Sequence, residues 1–563
     1  MTSLLSAGLK LREARHARRF ENATADPAAA QGRVLEALLA RNAGTAFGRD
    51  HRFGGIVGPA DYARRVPRRD YEGHRPYVER AVAGEPRVLT SDPLTMLTLT
   101  SGTTAAPKLI PVTANWSEQM AGLTRLWMFH ALVDHPTCFD GKVLMIASPA
   151  VEGRTASGMA FGSMSGVAYR RIPRLVRQHY AVPYAASLIK DHDLRYFMTM
   201  RLALAHDVSA LATPNPSSLL RLAAIASTRG EDMIRAIHDG SLGVPDLDFA
   251  GDADVSRHDA MDELRAALRP DPNRARALDA IWSQHGTLNP RHCWPNLAFV
   301  GCWLGGSAGV HAAHLDGIFD PSTPRRDLGL IASEGRMTIP LESGSAAGPL
   351  AVHANFYEFI PEASIDDLDP PTLLAHELEQ GQRYYVILTG GNGLYRYDIN
   401  DIVEVRGFHN RTPKVAFVRK GRDMVNIVGE KLHLNQIQSA VEQAQMASGF
   451  ESWQFRLIPD IGQSTYDLLV ESTSASTGIA QAQAFITAFD AQLSTLNLEY
   501  ASKRSSLRLG APRLHIMKPG WSEQLCRREF TGGKREVQHK WAPITQQWDD
   551  ASRQDIVTTV TGA

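Results

Sequence analysis

The chain is 563 residues long and carries 60 lysines and arginines against 60 aspartates and glutamates, a formal charge of zero. So long a chain exceeds what one hydrophobic core usually supports, and two or more domains are expected. With 44% hydrophobic and 21% charged residues it has the make-up of an ordinary globular protein, and the charge balance argues against an electrostatically driven nucleic-acid or membrane partner.

In chain order, residues 2–46 are predicted helices, because Leu4, Leu5, Leu9 and Leu11, then Val34, Leu35, Leu38 and Leu39, recur at helical spacing. Thr45–Arg49 and Phe53–Ile56 form a glycine-containing loop. Val66-Pro67 and Tyr71–Tyr77 then lead into a helix and Gly84-Glu85. Alone, these are packing and turn signals.

At 98–112 an apolar, β-branched lead-in gives way to Ser101, Gly102, Thr103 and Thr104, then Pro107-Lys108 and a second short strand. Small residues let backbone N–H groups close on an anion, hydroxyls add donors, and Lys108 supplies positive charge. A surface turn with a lone lysine is the plainer alternative, and the spacing is not that of a Walker A loop. The unbroken Ser-Gly-Thr-Thr with lysine close behind favours a phosphate site. S-G-T-T-x-x-P-K resembles the phosphate loop of adenylate-forming enzymes, which implies ATP and a carboxylate giving an acyl-adenylate and pyrophosphate. The wider order is more specific: T-x-F-G-R, V-P-x-x-x-Y-E-x-x-x-P-Y and G-E ahead of that loop. It resembles the Gretchen Hagen family of acyl-acid amido synthetases, a branch of those enzymes.

Helical runs at 116–134, 181–206 and 216–228 alternate with apolar strands at Val143–Ile146 and Val208–Leu211, which predicts a layered α/β domain. The glycine-rich Gly158–Gly166 is read either as lining an acyl pocket or as a plain connection. Thr213–Ser218 suits a ligand site at a strand end or a helix cap equally well. The carboxylates Asp246, Asp248, Asp252 and Asp254 lack the glycine and terminal glutamate of an EF-hand loop and are read as solvated or capping groups.

After an apolar strand at Leu297–Cys302, Leu328–Ala332 leads to Ser333 and Glu334. A serine and a carboxylate at a strand end can cap a helix or bind nucleotide and metal. The resemblance implies that both contact ATP and that Glu334 helps hold Mg²⁺. Relatives often carry a tyrosine just before this pair. Here Leu330-Ile331-Ala332 stands instead, which leaves Phe356 or Tyr357 to meet the adenine. Phe356–Pro361 matches an aromatic-E-F-x-P strand of the family, although an amphipathic strand also explains its alternation.

Leu394–Val403 follows the family's L-Y-R-Y-x-x-G-D-V, with Asn400 where glycine is usual. Asparagine tolerates the left-handed conformation better than most residues, so the turn can survive. Asp401 aligns with the acid that grips the ribose hydroxyls, a task suited to a two-oxygen acceptor. Gly421–Leu432 resembles the hinge into a small C-terminal domain. By that resemblance Arg422 reaches ATP and Lys431 lies close to the phosphates.

Residues 432–563 read as α+β: helix 433–447, strands 453–458 and 465–470, helix 478–495 and strand 512–517. Gly532–Pro543 matches G-x-x-x-x-Q-x-K-x-P with one extra residue before Pro543. This implies that Lys540 is carried into the active site, with Lys534 as its rival. Cys138, Cys293, Cys302 and Cys526 are scattered without metal-ligand spacing and are read as reduced thiols.

The expected fold is therefore α/β. A large adenylate-forming domain over 1–420, layered α/β with a β-barrel-like part, precedes a small mobile α+β domain over 421–563. The expected activity uses ATP and Mg²⁺ to adenylate a small carboxylic acid and pass the acyl group to an amino acid or another amine. Lys108, Lys431 and Lys540 are the expected catalytic residues. Transfer to coenzyme A is the alternative, followed by a non-catalytic nucleotide-binding regulator. Without a signal-peptide pattern or a long apolar run, a cytoplasmic location is expected.

Overall fold

The computed structural model describes residues 2–100, 108–249, 254–365, 367, 370–421, 424–450, 452–472, 478–522, 524–525 and 543–562. The chain separates into two compact units, one of Met1–Leu99 with Leu109–Arg419 and one of Thr100–Lys108 with Lys420–Ala563. No helix among the described residues is long and apolar enough to cross a membrane.

The first unit is built on three main sheets. Lys142–Met145, Val208–Ala212, Phe299–Gly301 and Arg325–Arg326 lie side by side in that order, each pair parallel. Parallel neighbours need crossovers, and the helices His192–Leu204 and Pro216–Thr228 flank the central strand in sequence. They share its core through Phe197, Met200, Leu211, Leu219 and Val300. A six-stranded sheet runs Gly348–Pro349, Thr412–Lys420, Tyr397–His409, Arg383–Thr389, Phe356–Pro361 and Leu373–Leu374. Phe359, Val386, Leu388 and Val403 are buried on it. Leu94–Thr100 lies between Lys108–Thr113 and Ala160–Gly162 in a third sheet.

The helical run predicted at 181–206 is interrupted. Tyr184–Leu188 forms a 3₁₀ turn and His192–Leu204 a separate helix. Pro183 precedes the turn, Ile189 is extended and bridges to Phe249, and the Asp191 carboxylate caps the new helix by accepting from the Leu194 N–H at 2.8 Å. A capping aspartate starts a helix afresh because its side chain satisfies a first-turn donor.

In the second unit Ser452–Asp460, Thr465–Ser472, Arg513–Met517 and Ile556–Thr561 make a four-stranded sheet. Helices Leu434–Ser448 and Ile479–Leu496 pack through Ile437, Val441, Phe485 and Phe489 against Leu468 and Leu514. The last strand is absent from the sequence reading. Its Ile-Val-Thr-Thr-Val-Thr is short, and only pairing with Arg513–Met517 declares it.

A buried carboxylate locks this sheet. Asp467 Oδ1 accepts from Arg513 Nε at 2.6 Å and lies 3.0 Å from His515 Nε2, while Oδ2 accepts from Trp548 Nε1 at 2.7 Å. Burial opposes its ionisation, but the bonds from His515, Arg513 and Trp548 outweigh that and hold its pKa down at about 2, against an ordinary 3.8. A carboxyl depressed in the folded state contributes stability that is complete above its unfolded pKa and lost as pH falls through the folded one. We expect acid titration from about pH 4 to about pH 2 to remove about 2 kcal/mol through this group. Urea unfolding at stepped pH checks this, with Asp467→Asn lacking that portion of the slope.

Candidate functional site

The sequence-predicted residues fall on both units. In the first, Ala332 pairs with Gly335 across the ladder between Ile331–Ala332 and Gly335–Arg336, so Ser333 and Glu334 form the turn between them. Glu334 is 7% exposed. Two polar groups hold it: the Tyr397 hydroxyl donates to Oε1 at 3.3 Å, and Asn392 Nδ2 donates to the backbone oxygen at 3.4 Å. Burial and then the Glu334 charge push the Tyr397 phenol well above its usual pKa. It therefore stays protonated and donates.

Tyr397 also opens the strand that carries Asp401. Its ladder with Arg383–Thr389 shifts register between the Ile387–Asp398 and Tyr385–Ile402 pairs, leaving Ile399, Asn400 and Asp401 in a bulge. Asn400 takes φ +58°, the left-handed conformation expected from its replacement of glycine, and its N–H donates to Asp398 Oδ1 at 2.9 Å. Bulges re-aim side chains next to functional sites. Asp401, 3% exposed, stands at the end of this one.

Tyr357 requires a correction. It and Phe356 are fully buried in the core behind the six-stranded sheet. The Tyr357 hydroxyl donates to the Met337 carbonyl at 3.3 Å and accepts from Asn355 Nδ2 at 3.2 Å. Neither ring has an open face on which a base could stack. Both expectations fail because sequence alternation marks which residues share a face, whereas here both faces of the strand are covered.

In the second unit Lys108 begins a strand, Lys420 ends one, and Lys431 sits in a tight turn at φ +49°. A left-handed lysine costs about 1–2 kcal/mol and persists only where its surroundings impose it. Here they do. Asn426 Oδ1 accepts from the N–H groups of Gly429 (2.8 Å) and Lys431 (3.4 Å), and Asn497 Nδ2 donates to the carbonyls of Glu430 (3.0 Å) and Lys431 (3.1 Å). The buried Glu430 carboxylate accepts from the N–H groups of Ile427 (2.7 Å) and Val428 (2.9 Å) and from the Tyr466 hydroxyl.

The turn runs into Leu432–His433, whose His433 pairs with Met424. Burial, then the charges of Lys108, Lys420 and Lys431, drives the His433 pKa down to about 3. Lysines from three separate segments thus act on one ring. The sequence pointed to Lys108 and Lys431 but not to Lys420, which abuts the Gly421 hinge, nor to His433, which precedes a helix. It also gave Tyr397 no role. Ser101, Gly102, Thr103, Thr104, Arg422, Lys534 and Lys540 lie outside the described residues.

Converging cations suit a polyanion, and a clamped carboxylate suits a cation or a hydroxyl. Comparison with known proteins gives the family. Residues 16–324 match the GH3 family N-terminal domain. The chain belongs to the GH3 family. The family's central domain matches residues 348–420 and its C-terminal domain residues 435–548. An indole-3-acetic acid-amido synthetase of Arabidopsis thaliana is 25% identical over 78% of this chain and 82% of its own. A jasmonoyl–L-amino acid synthetase of Nicotiana attenuata is 24% identical over 76% and 74%. Among solved structures, a GH3.15 acyl acid amido synthetase superposes with a TM-score of 0.64 over 97% of each chain at 19% identity, so this GH3 protein shares its fold.

Proposed function

We propose that this GH3 protein is an ATP-dependent ligase that adenylates a carboxylic acid and transfers the acyl group to an amine, in the first instance an amino acid, releasing AMP and pyrophosphate. The observation that carries this reading is the convergence of Lys108, Lys420 and Lys431 within a chain of this family. The relatives' names, an indole-3-acetic acid and a jasmonoyl synthetase, support an apolar acid and an amino-acid acceptor. We take 1–420 as the adenylation domain, 421–563 as the small domain, and the cytoplasm as the place of action.

In the first half-reaction a substrate carboxylate oxygen attacks the α-phosphorus of ATP and pyrophosphate leaves. Charge builds on the phosphate oxygens, and Lys108 and Lys431 offset it from preorganised positions. Ser101, Gly102, Thr103, Thr104, Arg422 and Ser333 bind the nucleotide, and Asp401 accepts from the ribose hydroxyls. In the second half-reaction an amine nitrogen attacks the acyl carbonyl, loses a proton, and AMP leaves. Lys540 is the lysine we assign to the small domain's part in this chemistry.

Glu334 fits a Mg²⁺ ligand. It is a single carboxylate oriented by Tyr397, and Mg²⁺ is commonly held by one or two carboxylates with substrate phosphates. Bound there, the ion neutralises phosphate charge.

The test is ATP–pyrophosphate exchange with a panel of acids, followed by AMP release with each of the twenty amino acids or coenzyme A added. Exchange with one acid, and AMP release rising with certain amino acids, establishes the ligase. AMP release that needs coenzyme A moves the protein to acyl-CoA formation. ATP binding without exchange for any acid favours a nucleotide-binding regulator.

A further inference from the structure

Lys503 belongs to the helix Leu498–Ser505 of the second unit. That helix is tied to the turn that carries Lys431. Its capping residue, Asn497, donates from Nδ2 to the carbonyls of Glu430 and Lys431 and accepts from the Tyr500 N–H at 2.9 Å. At the far end the Lys503 carbonyl accepts from the N–H groups of Arg508 and Leu509, both at 3.1 Å. Held on both sides, the backbone lays the side chain against Gly429. A Cβ built on that glycine would lie 3.6 Å from Lys503 Cε and 3.9 Å from Nζ.

The amine is set apart by what it lacks. Lys142, Lys190, Lys414 and Lys518 each bring Nζ to an oxygen, of Gln178, Asp248, Glu342 and Asp555 respectively. Lys503 Nζ has no hydrogen bond or ion pair among the described residues. The side chain is only partly buried, and its nitrogen is not among the unpartnered atoms sealed from solvent. A lysine taken partly out of water without a bonded counter-ion loses some of its preference for the charged form. Here burial, then Arg508, brings the pKa down to about 8 from an ordinary 10.5. Glu499 and Glu430 pull it up, and Lys431 pushes it down again. The Glu430 carboxylate is itself engaged by the N–H groups of Ile427 and Val428 and by the Tyr466 hydroxyl.

We infer that Lys503 is a nucleophilic lysine, a site at which this protein is N-acylated by acyl phosphates, the mixed anhydrides of a carboxylic and a phosphoric acid. The neutral amine attacks the acyl carbon and a C–N bond forms. The bond from that carbon to the phosphate oxygen breaks, the phosphate leaves with its electron pair, and the nitrogen's surplus proton passes to water. The amide is uncharged, so acylation removes one positive charge beside the turn that carries Lys431. An acyl-adenylate belongs to the same chemical class. The inference rests on the ligase reading for that donor, but not for the amine, since acetyl phosphate alone probes it.

The experiment incubates full-length protein with acetyl phosphate from about pH 6.5 to about pH 9.5 and reads initial acetylation rates, peptide by peptide, by mass spectrometry. An amine that titrates near 8 is about one-quarter neutral at pH 7.5, against about one part in a thousand for an ordinary lysine. Part of that gain is lost because nucleophilicity falls with basicity. We expect Lys503 to lead Lys190, Lys414 and Lys518 by about tenfold at pH 7.5. Its rate should level off above about pH 8.5 while theirs continue to climb, and in urea its lead should vanish. A Lys503 rate no greater than theirs at pH 7.5, or one still rising about tenfold per unit at pH 9, overturns the inference. Fast Lys503 acetylation in a protein that shows no ATP–pyrophosphate exchange with any acid upholds the site and sinks the ligase reading. Exchange with a slow Lys503 does the reverse.

Discussion

Lys108→Ala should lower carboxylate-dependent ATP–pyrophosphate exchange by roughly 100- to 1000-fold, the loss typical of removing one preorganised group aimed at developing transition-state charge. Lys108 opens a strand, follows Ser101–Thr104 in the sequence, and with Lys420 and Lys431 is among the described cations acting on His433. On the proposed reading its worth lies in being positioned before the phosphates arrive, so that no reorganisation accompanies the reaction. Lys108→Arg keeps the charge but changes its reach, and should recover only part of the rate. The same alanine lifts one repulsive charge from His433, whose pKa should move up toward its ordinary value, which histidine ring proton shifts would follow. Exchange within a few-fold of wild type would remove Lys108 from the chemistry.

Glu358→Ala should destabilise the first unit by about 3–5 kcal/mol, the cost of leaving a buried charge without its partner. Arg396 Nε donates to Glu358 Oε2 at 2.9 Å, with side chains only 7% and 2% exposed. The guanidinium also donates from Nη1 to the carbonyls of Ala63 (2.7 Å) and Val66 (2.9 Å), tying the end of the helix Gly58–Arg65 to the six-stranded sheet. Burial raises the Glu358 pKa against the lowering pull of Arg396, so desolvation outweighs the attraction at this carboxylate. The pair therefore specifies where the helix docks more than it adds net stability. Glu358→Gln keeps an acceptor and should cost less than alanine. Replacing both partners by apolar residues of similar volume should cost less than either single truncation. Urea unfolding of wild type, Glu358→Ala, Glu358→Gln, Arg396→Ala and the double replacement checks the series. Equal midpoints for wild type and Glu358→Ala would show that the carbonyls alone satisfy the arginine.

The family motif L-Y-R-Y shows how sequence and structure divide the explanation. Its neighbour Asp401, to which we assign the ribose hydroxyls, is legible as a motif position. The motif's own residues serve other ends: Arg396 anchors a helix, Tyr395 sits in the core with its hydroxyl donating to the Leu89 carbonyl at 2.8 Å, and Tyr397 holds Glu334. None of these partners lies close in sequence, so no local pattern announces them. Tyr357 was misassigned for the same reason, since an aromatic residue on a strand looks alike whether its ring meets a ligand or a core.

What the sequence by itself determined is local. Helices such as Ala114–Asp134 and Pro216–Thr228 follow from periodicity and from caps at Thr113 and Asn215. The family follows from short motifs in a fixed order, and the left-handed Asn400 from the conformational tolerance of one residue type. The tertiary structure alone decided that Pro183 and Asp191 split one predicted helix, that Ile556–Thr561 is a strand, and that Glu334 is clamped by Tyr397. It also brought the charges of Lys108, Lys420 and Lys431 to bear on the buried ring of His433. The physical reason is one of range. Backbone preference and capping act within a turn or two of chain, whereas burial, strand pairing and the field of distant charges exist only once remote segments have met.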